Sequence, residues 1–273
     1  MKIMLLTICL ILLFCLLGYW TNRQLEVTKE SLTIDALPDT LNHARILHVS
    51  DIHFGRLRVP HKKLLAAATK EKPDLIFVTG DTIDRTEDVT LSGIQAVINE
   101  LAKIAPTYVI EGNHETTSGQ YEEWRKLMLD SQATLLENQV ISVNLKGQPI
   151  SLIGLKNGIT DLPFEEKAKI NSEYPAFILA HHPENFSLYL EHFFIYPIKG
   201  IFSGHAHGGQ IRLPFIDGLL SPNQGFFPKY TNGPYQLAEK PDTTLFVSRG
   251  LANSTFPFRI NNKPHLISIT LKK

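Results

Sequence analysis

The chain has 273 residues, long enough for one large α/β domain with a short appendage and too short for two enzyme-sized domains. Its 27 Lys and Arg are balanced by 27 Asp and Glu, so no basic excess marks a nucleic-acid partner, and none is expected. Both cysteines, Cys9 and Cys15, lie in the apolar N-terminal run, which excludes disulfides, thiolate zinc cages and thiol nucleophiles from the remainder.

That run, Ile3 to Trp20, carries no charge and has Thr7 as its one clearly polar residue. It is close to the minimum length that spans a bilayer core as a helix. Tyr19 and Trp20 close it where interfacial aromatics sit. A buried core helix would need polar residues at helical spacing, and this run is apolar all round. A cleaved signal peptide is the rival reading. No small-residue cleavage pattern follows, however, and Phe14 before Cys15 does not suit lipoprotein processing. Residues 1–20 are therefore expected to be a transmembrane anchor, residues 21–43 a polar stalk with turn signals at Pro38 and Asp39, and residues 44–273 the folded domain. The expected location is the cell membrane, single-pass, with the folded domain on the extracytoplasmic side.

Beyond the stalk, short apolar runs alternate with helical patterns. Strands are expected at Arg45–Val49, Leu75–Thr79 and Tyr108–Ile110, with helices at Lys62–Lys70 and Val89–Ile104 between them. This βαβαβ order is the signature of a sheet wound with helices. After a helix ending near Leu129, strand patterns dominate: Val140–Leu145, Ile150–Leu155, Phe177–Ala180, Gly200–Phe202, Gln210–Leu213, Leu245–Val247 and Leu266–Leu271. Two stacked sheets flanked by helices accommodate so many strands.

The Asp, Asn and His residues cluster just past these strand ends: Asp51-Ile52-His53, Gly80-Asp81-Thr82-Ile83-Asp84, Gly112-Asn113-His114-Glu115, His181-His182-Pro183 and Gly204-His205-Ala206-His207. In wound α/β sheets ligands gather outside the carboxyl ends of the strands, so these turns should face one crevice. Mixed carboxylate and imidazole donors suit Mn, Fe or Zn, whereas Ca and Mg prefer oxygen cages. A carboxylate such as Asp81 can bridge two ions about 3.5 to 4 Å apart, an arrangement that generates hydroxide and clamps a transferring phosphoryl group.

The ordered blocks D-x-H, G-D-x-x-D, G-N-H-E, H and G-H-x-H resemble the calcineurin-like metallophosphoesterases from about Arg45 to the C-terminus. The extended G-H-A-H-G-G-Q at Gly204 to Gln210, V-S-R-G at Val247 to Gly250 and the N-terminal run look like the YkuE/YaeI-type membrane-anchored bacterial branch. The resemblance implies an α/β fold, a four-layer αββα sandwich, with two divalent transition ions, manganese foremost and iron or zinc as alternatives. It implies that Asp51, His53 and His207 hold the first ion and Asn113, His181 and His205 the second, with Asp81 bridging. His114 would be the catalytic histidine and Asp84 its partner carboxylate. Glu115 departs from the Asp more usual after G-N-H, at a position that is not a ligand in the family.

Any single Asp or His is more often a turn residue or a satisfied surface group than a ligand; joint placement overturns that prior. His182 is read as substrate-facing or supporting at best. Arg249 and Arg56 are candidates for contact with substrate phosphate, an ordinary salt bridge being the competing role for each. The expected reaction is hydrolysis of a phosphodiester or pyrophosphate at the membrane surface by metal-held hydroxide, on a lipid-linked or cell-envelope substrate. Alternatives are a general phosphomonoesterase, a UDP-2,3-diacylglucosamine-type pyrophosphate hydrolase of lipid A synthesis, and a non-catalytic metal-binding scaffold.

Overall fold

The computed structural model describes residues 2–213, 215–253 and 259–273, with the side chains at positions 3, 10, 11 and 14 set aside. The chain begins with α1 (Lys2–Thr21), a 20-residue helix whose described large apolar side chains are exposed. Among the described residues no helix is long and apolar enough to cross a membrane, the four side chains set aside all falling within α1.

Two six-stranded sheets follow. The first contains β1 (Glu26–Thr33), β2 (Arg45–Val49), β3 (Leu75–Thr79), β4 (Thr107–Ile110), β5 (Thr134–Leu135) and the last strand, β16 (His265–Lys272), in the order β1-β16-β2-β3-β4-β5. The second contains β6 (Gln139–Leu145), β7 (Gln148–Gly154), β8 (Ala176–Leu179), β9 (Ile198–Ser203), β14 (Gly233–Tyr235) and β15 (Thr244–Val247), in the order β14-β15-β9-β8-β7-β6. Four short strands, β10 (Arg212–Leu213), β11 (Ile216–Gly218), β12 (Leu220–Ser221) and β13 (Gly225–Phe226), form two separate antiparallel hairpins between β9 and β14. The neighbours β2, β3, β4 and β5 run parallel, as do β7, β8, β9 and β15. Their carboxyl ends therefore collect the loops that carry the Asp and His blocks.

The sheets meet face to face over one apolar core that includes Leu32, Phe77, Phe177, Phe202 and Phe246. The outer face of the first sheet is covered by α2 (His61–Glu71), α3 (Ile94–Ile104) and α5 (Tyr121–Leu129), which bury Leu64, Ile98 and Trp124. The outer face of the second packs against α7 (Phe186–His192), with Phe186 and Tyr189 inside. Two further short helices, α4 (Asn113–Thr117) and α6 (Phe164–Lys167), complete the chain. This is the expected αββα layering: each strand that alternates or runs apolar hides its faces between a helix and the opposite sheet.

Three expectations are corrected. Residues 21–43 are not a stalk, because β1 pairs in parallel with β16 from Glu26↔His265 to Thr33↔Lys272, and Leu32, Ile34, Leu37 and Leu41 are buried. The apolar period is weak there because β1 is an edge strand, where charges such as Glu26, Lys29 and Glu30 sit. The expected helix at 89–104 is broken: a short 3-10 turn at Val89–Leu91 precedes α3, which starts after Gly93. The strand expected at 210–213 lies in a hairpin outside both main sheets.

Candidate metal centre

Asp51 and His53 follow β2, Asp81 and Asp84 follow β3, Asn113 and His114 open α4 after β4, His181 follows β8, and His205 and His207 follow β9. Backbone bonds tie these loops into one floor. The N–H groups of Asp51, His53 and Phe54 donate to Gly80, Asp81 and Thr82 carbonyls, and Gly204 N–H donates to His181 O. Asp51, His53, Asp81, His205 and His207 all have φ between 36° and 66°, a left-handed conformation uncommon for residues with a side chain. Clustering of such residues is characteristic of functional sites, where surrounding structure over-determines them. Gly112 has to be glycine: a Cβ there would lie 2.3 Å from Asp81 Oδ1.

The donors fall into two sets that share Asp81. Asp51, His53, Asp81 and His207 converge in one, and Asp81, His181 and His205 in the other. Asp81 Oδ2 lies 3.6 Å from His53 Nε2 and 3.3 Å from His181 Nε2. Asn113 Oδ1 joins the second set, 3.1 Å from His181 Nε2. His207 Nε2 is 3.5 Å from Asp51 Oδ1 and 3.2 Å from His53 Nε2. All seven expected ligands are thus brought together.

Neighbouring groups set the tautomers. His181 Nδ1 donates to Thr79 O at 2.8 Å, and His207 Nδ1 donates to Ala252 O at 3.2 Å, so both present Nε2 inward. Burial holds His53 and His205 down to about 3 and His207 well below its ordinary value, leaving neutral imidazoles with lone pairs. Burial also opposes a proton on His181, but the carboxylates of Asp81 and Asp51 outweigh it and lift that group to about 10. Two imidazole Nε2 atoms brought edge to edge at His53 and His207, and a buried Asp81 carboxylate facing His181, are what divalent transition ions would resolve. The donor set fits them.

Beside this centre, His114 Nδ1 lies 3.3 Å from Asp84 Oδ2 and 3.1 Å from the Arg85 N–H. The Arg85 guanidinium reaches His114 Nε2 at 3.0 Å. Burial lowers the His114 pKa, with Asp81 and Asp84 opposing and Arg85 adding to the effect. A small cavity of about 60 Å³ opens here, lined by Asp81, Arg85, Asn113, His114, His205, His207 and Pro222. Of the two arginines read as phosphate contacts, Arg56 Nε is 2.8 Å from Asp84 Oδ2, beside the catalytic pair. Arg249 is buried, and its Nη2 is 3.2 Å from Glu26 Oε2 on β1; it does not line the cavity, and the salt bridge is its observed contact.

Several residues escaped sequence reasoning. Glu115, set aside as a harmless variation, is wholly buried, and its carboxylate accepts from Asp81, Thr82, Ile83 and Gly112 N–H groups and from Thr82 Oγ1. It holds the loop of the bridging carboxylate, and its place three residues after Gly112 at a helix start was the available signal. Arg85 adjoins Asp84, a legible cue. Asn223, with Nδ2 3.2 Å from His205 Nε2, comes from a hairpin with no motif. His182 bonds Glu184 Oε1 at 2.9 Å and Asn157 Oδ1 at 2.7 Å, which gives it a supporting place beside His205.

A family model for calcineurin-like phosphoesterases matches residues 44–209. The metallophosphoesterase YkuE of Bacillus subtilis is 29% identical over 262 residues, covering 93% of this chain and 88% of that protein. Phosphodiesterase YaeI of Escherichia coli is 26% identical over 235 residues, covering 83% and 82%. Among solved structures, the NAD nucleotidase of Haemophilus influenzae aligns with a TM-score of 0.50 at 18% identity, over 77% of this chain and 45% of that one, a likeness of fold alone.

Proposed function

This chain belongs to the calcineurin-like phosphoesterase family and is a metal-dependent phosphoester hydrolase, and we propose that it uses two ions to cleave phosphodiester or pyrophosphate bonds at a membrane surface. The observation that carries the dinuclear reading is Asp81, whose Oδ2 faces His53 on one side and His181 on the other. Asp51, His53 and His207 would hold one ion, Asn113, His181 and His205 the other, and manganese, iron or zinc suits the donors. When bound, such a pair supplies an acidified water nucleophile and positive charge for the phosphoryl oxygens.

The chain's own groups do the rest. Arg85 stands at the cavity wall with its guanidinium on His114 Nε2. A phosphoryl oxygen taking over that guanidinium frees Nε2 to face the leaving oxygen. Asp84, fixed by Thr86 and Arg56, steadies the imidazolium when His114 carries a proton to that oxygen. Preference for diesters is supported by the similarity to YaeI, a phosphodiesterase. A single-pass membrane anchor is supported by the uncharged apolar residues of α1; the catalytic domain on the extracytoplasmic side is part of the same proposal. The substrate is read as lipid-linked or cell-envelope in kind.

The test compares kcat/KM for bis-aryl and mono-aryl phosphates on manganese-loaded full chain in detergent, beside Asp81→Asn. Diester preference with loss in the variant is expected. A clear monoester preference would leave a general phosphomonoesterase as the better account.

A further inference from the structure

We propose that the two hairpins rooted behind His207 form a bilayer-docking surface that seats the mouth of the metal cavity against lipid headgroups. Leu213, Phe215, Ile216, Leu220, Phe226 and Phe227 are all exposed, Phe215 completely and Phe226 and Phe227 at 71% and 66%. Leu213 stands opposite Ile216, and Leu220 opposite Phe226, across their hairpins; apolar side chains exposed in groups, where soluble surfaces carry them singly, mark an interaction site.

The hairpins are built against the cavity rim. Gly209, two residues past His207, has φ +70°, and a Cβ there would lie 2.2 Å from Gly218 Cα. Leu219 N–H lies 3.1 Å from Gly209 O and 2.9 Å from Ile211 O, and Phe227 N–H donates to Leu219 O. The turn between β12 and β13 then brings Pro222 to the cavity wall and Asn223 to His205. Apolar tips and catalytic mouth are thus parts of one loop system.

The occupant is read from α1. Its last turn, through Leu17, Gly18, Trp20 and Thr21, lines one cavity with Arg259, Ile260 and Asn261, and Asn22 just beyond it accepts from Arg259 N–H. Ile260 in turn forms a β-bridge with Ile211 and accepts from Arg212 N–H at the root of the first hairpin. The exposed apolar end of α1, with Leu16, Leu17, Tyr19 and Trp20, is thus linked through Ile260 and Ile211 to the root of the first hairpin. A helix of 20 residues is about 30 Å long, the thickness of a bilayer core. With α1 as the proposed anchor, a surface beside its last turn meets the same medium. Lys229 follows the aromatic pair, its ammonium 4.9 Å from the Tyr230 ring centroid, a cation placed for anionic headgroups. The docking rests on these contacts together with the proposed anchoring role of α1; that the substrate's phosphorus belongs to a lipid headgroup rests in addition on the phosphoesterase reading.

The experiment uses the full chain with Cys9→Ser and Cys15→Ser and one environment-sensitive fluorophore at Phe215→Cys, reconstituted into phosphatidylcholine and phosphatidylglycerol vesicles. A blue shift relative to detergent, and quenching by acyl-chain spin-labelled lipid, are expected. The control probe at Lys146→Cys should remain unquenched, because Lys146 pairs with Asp74 at the opposite end of β3. An unquenched Phe215 probe overturns the proposal, as does a shift that already appears in detergent and grows with protein concentration, the mark of a second copy. Soluble bis-aryl phosphate turnover on the same vesicles reports separately on the phosphoesterase reading. Its absence with quenching intact removes only the substrate, and its presence without quenching removes only the docking.

Discussion

His53 Nε2 and His207 Nε2 stand 3.2 Å apart in a fully buried site, while the proton of His207 is held on Nδ1 by Ala252 O. The same carbonyl accepts from the buried Arg259 guanidinium, which also approaches His207 Nδ1 at 3.4 Å. Arg259 therefore fixes the ring that offers its lone pair to the first ion. Arg259→Gln should weaken binding of that ion about 10- to 100-fold and leave the second near its original affinity, measured by competition with a metal indicator. Equal affinity for both ions in the variant would deny Arg259 this positioning role.

Binding and chemistry separate at Asp81 and His114. Asp81→Asn should lose metal and turnover together. His114→Ala should keep its metal content and lose about 100-fold or more in kcat, the usual cost of a removed acid–base or electrostatic group. Metal analysis beside kcat decides it, and normal turnover by a metal-loaded His114→Ala would place the proton elsewhere.

Removing residues 1–21 should release a folded, active protein, because β1 survives intact. Cutting through Thr33 instead strips β1 from β16 and removes Leu32 from the inter-sheet core, a loss of about 2 to 5 kcal/mol for that side chain alone by analogy with core truncations. Urea midpoints of the two shortened chains compare them; equal midpoints would mean that β1 contributes little.

This boundary was where the sequence was least legible. Asp51, Asp81, Asn113, His181 and His205 could be placed because each follows an apolar run that only a buried parallel strand explains. β1 shows no such run, since Glu26, Lys29 and Glu30 occupy an edge, and its pairing partner β16 lies at the far end of the chain. Glu115 was only partly legible for another reason: three of its four backbone donors lie in the loop after β3, which meets Gly112 and Glu115 only once the two loops have converged. The hairpins that bring Asn223 to His205 carry no periodicity at all, being two and three residues per strand.

Acid should destabilise the fold partly through His48. It is fully buried on β2, bonded to Thr79 Oγ1, and burial holds it down to about 3. Below about pH 6.5 the unfolded chain takes up a proton that folded His48 refuses until about pH 3. Its stabilising effect is full above that window and is lost as pH falls through it. One such proton gives a slope of about 1.4 kcal/mol per pH unit. Denaturant unfolding of His48→Gln between pH 4 and 7 should show a shallower dependence than the parent; an unchanged slope would exclude His48 as a contributor.

The most direct measurement of the dinuclear account is a titration of metal-stripped protein with manganese, following bis-aryl phosphate hydrolysis and elemental metal content together. Activity should be absent without metal and should reach its full value only as the second ion per chain is bound. Full turnover in protein shown to be metal-free, or saturation at one ion, would contradict it.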